Sequence, residues 1–302
     1  MIRKNSIFVV LMILLLVVSC NNNSSSSRAK NNPSESSINT DTIKATVSKK
    51  AIKIKNPKVI NSEAAYNSKY KLRKYSNVKS FYKRIARPAI QLCLDNNVPP
   101  AAILAIAGLE SGWNQGYIGR ITGNILSLGN RRGDKELPAL LLPKVKSTGE
   151  ILIDSLEIIK YTPEQIEWEN RPPSLKKDYR PAPWGGTKYK LAYFKYHPEE
   201  KAKAQIKNIN DFVTIFISRN SRISVYRKAR HMMDSLVEQK GKEVLLKEET
   251  AILFINQIGG KPNSFNFRKT WPKKVTYIIK NAGLAELTKQ MNKTDKEFDE
   301  LW

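Results

Sequence analysis

The run Pro99-Pro100-Ala101-Ala102-Ile103-Leu104-Ala105-Ile106-Ala107-Gly108-Leu109-Glu110-Ser111-Gly112-Trp113-Asn114 decides how the chain is read. Proline is tolerated in a first helical turn and disruptive deeper in, so the pair predicts a helix start. Ala101–Ser111 follows, and Gly112 is a natural stop, because glycine enters the left-handed region that closes a helix at no steric cost. Ile103, Ile106 and Ala107 precede Glu110 at helical spacing, which places its carboxyl on the apolar face. Burial and the negative end of the helix dipole both disfavour the ionised form. A carboxyl protonated near neutrality is what a glycosidase uses to protonate a leaving glycosidic oxygen.

Helical patterns surround this run. Phe81, Ile85, Ala89, Leu92 and Cys93 recur at helical spacing, which makes Cys93 a core thiol. Ile206, Ile209, Val213 and Phe216 mark another helix, and Val225, Ala229, Met232 and Leu236 the next. Thr250–Ile258 is apolar nearly all round and closes on Gly259-Gly260, so it reads as the central buried helix. A last helix runs from Pro272 to Asn281. Between Leu128 and Tyr196 the texture changes to prolines, glycines and short apolar runs such as Ile151–Ile153 and Leu191–Tyr196, which reads as a small β-lobe inserted into the helical body. The expected class is α+β, mainly α.

Of 302 residues, 41% are hydrophobic, enough to bury a sizeable core. Lys plus Arg number 52 against 27 Asp plus Glu, a net charge of +25 that favours polyanionic partners. Cys20 and Cys93 cannot build a disulfide framework, and with only His197 and His231 beside them no metal site or cofactor is expected. Arg3 and Lys4 precede the apolar run Ile7–Val18, which is shorter than the roughly 20 residues of a membrane-spanning helix. Residues 1–19 read as a secretory signal, and Val17-Val18-Ser19-Cys20 resembles a bacterial lipobox in which Cys20 is lipidated. The alternative is an uncleaved anchor with an incidental cysteine. Either reading puts the body outside the cytoplasm and demotes nucleic acid as a partner. Residues 20–69, rich in Asn, Ser, Lys and Thr, read as a disordered tether. The body then spans 70–290 and a tail 291–302.

Glu110-Ser111-Gly112-Trp113, followed by Asn124-Ile125-Leu126-Ser127-Leu128-Gly129, resembles the bacterial glucosaminidase domain of glycoside hydrolase family 73. The stretch Phe212–Arg230, with Ser224-Val225-Tyr226-Arg227-Lys228-Ala229-Arg230, is similar to the family's Bax-like subgroup. The resemblance covers about Ser80 to Leu287. It implies a lysozyme-like α+β fold, with cleavage of peptidoglycan after N-acetylglucosamine and Glu110 as general acid. It also implies glycan strands as the partner; with an anchor at Cys20, such a substrate puts the body on the periplasm or wall side, and a monomer is expected.

The sequence departs from the family where a second functional group would stand. Aligned on Trp271-Pro-Lys-Lys-Val275, Phe265 takes the place of a tyrosine and Arg268 that of an aspartate, and phenylalanine moves no proton. Among lobe acids Glu150 is the chosen second catalytic candidate, with Asp134, Glu136 and Asp154 also available. Trp113 is a candidate sugar platform, Asn124 a candidate ligand for an N-acetyl or hydroxyl group, and Tyr226 and Phe265 candidate cleft residues. Trp184 and Tyr189 are further candidate platforms. Competing with the hydrolase are a lytic transglycosylase, which would leave anhydromuramic ends, and a catalytically inactive wall-binding or adhesion lipoprotein.

Overall fold

In the computed structural model, which describes residues 69–129, 140–171 and 191–302, Ser76–Asp95 form α1 and Pro100–Ser111 form α2. The second helix starts at the proline pair and stops at Gly112, whose φ of 57° is left-handed, as the sequence predicts. Pro100 to Gly108 are buried on every side of the helix. Ile103, Leu104 and Ile106 have no exposed surface, and each contributes roughly 1.5–3 kcal/mol through burial.

The central buried helix is therefore α2. Thr250–Ile258 was the expected centre, but it lies in α8, Glu248–Ile258, which buries one face and leaves Leu253 44% exposed. The other layers are α6, Pro198–Asp211, continued by a wider π turn at Phe212–Phe216; α7, Ser224–Lys240; α9, Trp271–Ala282; and α10, Leu284–Lys293. Helices α1, α8, α9 and α10 all pack on α2. Cys93 is buried in the shared core, as its spacing predicts.

In α7 the buried residues are Tyr226, Ala229, Arg230 and Met233, a face turned from the expected Val225/Ala229/Met232/Leu236 stripe. Arg230 accounts for the turn: its guanidinium is 2% exposed and reaches inward to the Asn96 carbonyl. Burial pushes it down to about 10, and among the described residues Nε and Nη1 have no hydrogen-bond partner.

The lobe is built on different elements from those expected. Helix α3, Tyr117–Thr122, leads towards it, and an antiparallel pair, β1 (Leu140–Val145) and β2 (Ile166–Arg171), forms its sheet, with Val145 opposite Ile166. Ile151 makes only an isolated bridge to Lys144. Short helices occupy Ser155–Ile158 (α4) and Tyr193–Tyr196 (α5). Two small clusters hold the lobe together: Ile121, Leu142, Ile153 and Leu191 in one, and Val145, Leu152 and Ile166 in the other. The class is α+β, mainly α, with a small β-lobe.

The expected tail belongs to the body. Phe298, in the short α11 (Phe298–Leu301), is buried and stacks on Trp302 with ring centroids 5.3 Å apart. Trp302 Nε1 donates to the Arg73 carbonyl at 3.1 Å, and Arg73 Nη1 donates to the Leu301 carbonyl at 2.8 Å. Among the described residues no helix is long and apolar enough to cross a membrane.

Candidate functional site

Glu110 sits in the last turn of α2, half-buried rather than sealed inside the apolar face. Its carboxylate oxygen Oε1 accepts a 2.8 Å hydrogen bond from Nε1 of Trp271, the first residue of α9. Trp271 is 3% exposed, and a buried indole N–H needs such an acceptor. Its ring is fixed from behind. Phe265 packs on it at 5.5 Å between centroids and itself meets Phe212 edge-on at 5.2 Å. Gly259 passes so close that a Cβ there would lie 2.2 Å from Trp271 Cε3. A continuous aromatic column, Phe212–Phe265–Trp271, thus stands behind the carboxyl and sets its direction.

In front of Glu110 opens a cleft of about 210 Å³, lined by Ser111, Tyr117, Ile118, Gly119, Asn124 and Ser127 among others. Asn124 is 3% exposed and its amide is already engaged. Nδ2 donates to the Leu128 carbonyl at 2.9 Å, while Oδ1 accepts from the Leu128 N–H at 3.0 Å. Buried Asn208 on α6 clamps the same loop, accepting from the N–H groups of Ile125 at 2.9 Å and Leu126 at 3.1 Å. The geometry gives Asn124 the work of shaping the loop that walls the cleft, and the residue is itself part of the cleft lining.

The other candidates divide between this neighbourhood and the rest of the molecule. Phe265 reaches Glu110 only through Trp271. Trp113, at a left-handed φ of 52°, donates from Nε1 to Tyr82 Oη at 3.2 Å. It lines a separate apolar shelf of about 440 Å³ with Leu109, Tyr277 and Ile278. Tyr226 is packed in the core, where burial pushes its hydroxyl up to about 12, and it is not among the residues lining the cleft. Glu150 is exposed on the turn after β1, where its main chain pairs with Val145 and Thr148, and it too is absent from the cleft lining. Asp154 is buried, but it accepts from Lys195, from Tyr196 Oη at 2.9 Å and from the Leu156 N–H at 3.0 Å. Lys195 holds that carboxyl below the usual carboxylate range, and the cluster ties α4 to α5. Arg268 is exposed on the loop before α9. Cys20, Asp134, Glu136, Trp184 and Tyr189 lie outside the described residues.

A larger cavity, of about 740 Å³, lies where Lys69 and Tyr70 meet α8 and α10. Two of its lining acids are matched by lysines, Glu248 with Lys280 at 3.8 Å and Glu243 with Lys293 at 3.3 Å. Size favours that cavity. The smaller cleft has the positioned carboxyl, and chemistry follows the carboxyl.

Sequence reasoning missed Trp271 and Asn208. An amphipathic helix that opens on a tryptophan signals a buried indole in search of an acceptor. The 161-residue separation from Glu110 is written in neither local pattern.

No protein-family model matches the chain, and no curated protein matches it. Among solved structures it is similar to the catalytic domain of the autolysin Auto from Listeria monocytogenes, at 15% sequence identity and a TM-score of 0.37. That match covers 70% of this chain and 87% of the autolysin domain.

Proposed function

We propose that the chain is a peptidoglycan hydrolase, an endo-β-N-acetylglucosaminidase in which Glu110 is the general acid. The observation that carries this reading is a half-buried carboxyl, held at 2.8 Å by a buried indole, at the mouth of a cleft. The resemblance of Glu110-Ser111-Gly112-Trp113 and Asn124–Gly129 to the glucosaminidase domain supports it. Glu110 gives its proton to the leaving glycosidic oxygen as the sugar develops oxocarbenium character. The Trp271 N–H keeps the carboxyl aimed throughout. Lipidation at Cys20 would hold the protein on a membrane, with the body turned towards the wall.

Among the described residues, Glu110 is the one carboxylate that lines the cleft. This favours a second reading, a lytic transglycosylase. A lone acid that then acts as base can direct a hydroxyl of the sugar itself onto the anomeric carbon, with no second carboxylate to activate water. The experiment is digestion of purified sacculi with wild type and Glu110→Gln. Reducing N-acetylglucosamine ends support the hydrolase, anhydromuramic ends the transglycosylase. Intact sacculi after wild-type treatment would leave the inactive wall-binder.

A further inference from the structure

Arg84 of α1 and Lys201 of α6 meet the two ends of one amide pair, Gln205 and Asn114, and Arg120 of α3 is near enough for its charge to act on Lys201. Several basic side chains elsewhere have an acid beside them: Lys79 pairs with Asp299 at 3.1 Å, Lys207 with Asp211 at 2.8 Å and Arg219 with Asp234 at 2.6 Å. Among the described residues no carboxylate pairs with any of these three. Their partners are neutral. Arg84 Nε donates to Gln205 Oε1 at 2.7 Å. Lys201 Nζ stands 2.8 Å from the Asn114 amide oxygen when that amide is turned to donate to the Gly119 carbonyl at 2.9 Å. The opposite orientation would accept from Gln205 Nε2 at 3.2 Å but set an N–H against the ammonium. Gln205 and Asn114 are both buried, so the cations stand on a fixed polar floor.

The electrostatics agree with the geometry. Partial burial, together with the fields of Arg84 and Arg120, pushes the Lys201 ammonium down to about 8. Like charges held together over neutral amides form a site whose missing component is an anion.

The cluster adjoins the Glu110 cleft. Gly119, which accepts from Asn114, lines that cleft, and Arg120 follows it directly. Ser111, another lining residue, accepts the Asn114 N–H at 2.9 Å. A peptidoglycan strand offers both a neutral glycan and short acidic peptides that branch from it. We propose that Arg84, Arg120 and Lys201 form a carboxylate subsite for the peptide stem of a strand whose glycan occupies the Glu110 cleft, an inference that rests on the glycan reading above. A guanidinium presents a planar fork matched to a carboxylate, and the ammonium adds a point charge. A wall phosphodiester carries the same oxyanion chemistry and is the competing source.

The test is cosedimentation of the full chain, in a Glu110→Gln background, with three preparations. These are intact sacculi, sacculi stripped of peptides by an amidase, and sacculi stripped of phosphate polymers by hydrofluoric acid with peptides retained. Binding to the first and third should be equal, and to the peptide-free glycan weaker by roughly fivefold, the scale of two exposed charge pairs. Arg120→Gln combined with Lys201→Met should abolish that difference without moving the melting temperature. The difference should also narrow between about pH 7 and pH 9.5 as Lys201 loses its proton while Arg84 and Arg120 stay charged. Equal binding to intact and peptide-free sacculi would overturn the subsite, and so would a loss of binding on phosphate removal or an unchanged preference in the double variant. Failure of the glycosidase reading shows separately, as an absence of cleavage by the wild type.

Discussion

Behind Glu110 the chain is layered: α2 runs through the middle of the body, and α9 lays an indole against the carboxyl. Around Glu150 it is a hairpin turn on a two-stranded sheet whose two small clusters bury seven residues between them. The body's core is one continuous cluster from Leu72 to Phe298. The lobe leaves Leu156 61%, Ile159 75% and Trp168 54% exposed. An isolated hairpin is marginal in water, so the lobe leans on α3 and α5. A carboxyl can be aimed only where neighbours over-determine its position. The contrast explains why the acid on the apolar helix is the candidate and the acid on the turn is not.

The largest effect expected from this contrast is chemical. Glu110→Gln keeps the size of the side chain and an acceptor for the Trp271 N–H, yet cannot deliver a proton. Sacculus cleavage should fall by about 10²–10⁴-fold with little change in melting temperature. A core-packing glutamate would give the reverse, a lowered melting temperature with turnover intact.

Next come changes that loosen the aim. Gly259→Ala places a methyl where Trp271 Cε3 stands, and should cost about 1–3 kcal/mol by denaturant unfolding. Cleavage should drop with it, because the displaced ring carries the hydrogen bond to Glu110. Asn124→Ala leaves both main-chain groups of Leu128 without their buried partner, at about 1–3 kcal/mol. If Asn124 also held sugar, binding of short glycans would weaken more than the stability loss explains.

On the lobe side the handle is pH. Lys195 depresses the folded carboxyl of Asp154, so its contribution is fully present above the ordinary aspartate range and disappears as pH falls through the folded value. Acid should therefore loosen α4 and α5 ahead of the body, seen as amide exchange at Leu156 rising before exchange in α2. Asp154→Asn should remove that pH dependence. The smallest effect belongs to Glu150→Gln, expected within about 0.5 kcal/mol in stability and unchanged in cleavage. A large loss of cleavage there would break the comparison outright.

How legible this was in the sequence depended on the range of the interaction. The α2 boundaries could be read because Pro99-Pro100 and Gly112 act through their own backbones. The place of Glu110 in the last turn of α2 followed from those boundaries, although the helix is buried all round and offers no single apolar face to point at it. The buried face of α7 was misjudged because an arginine reads as solvent-facing, and only the Asn96 carbonyl, 134 residues away in sequence, draws Arg230 inward. The strands were misplaced because apolar Ile151–Ile153 and Leu191 fill the lobe's clusters without joining its ladder. The loop-shaping bonds of Asn124 were not legible, because they form only when the loop closes. Trp271 was the most consequential omission, since its role depends on a partner from the far end of the domain.

The sealed thiol of Cys93 supplies an internal reference against which the proposed lipidation of Cys20 can be checked. Burial pushes that thiol well above its ordinary range, and a thiol is reactive only as the accessible thiolate. Cys20 is the chain's other cysteine. A maleimide offered to the native full-length protein can therefore label only a Cys20 whose sulfur carries no lipid, while denaturant adds Cys93. Comparing the two labelling counts on protein from its native host tests the proposed lipidation with no radiolabel and no mutation: one label, seen only in denaturant, is expected, and two labels would overturn it.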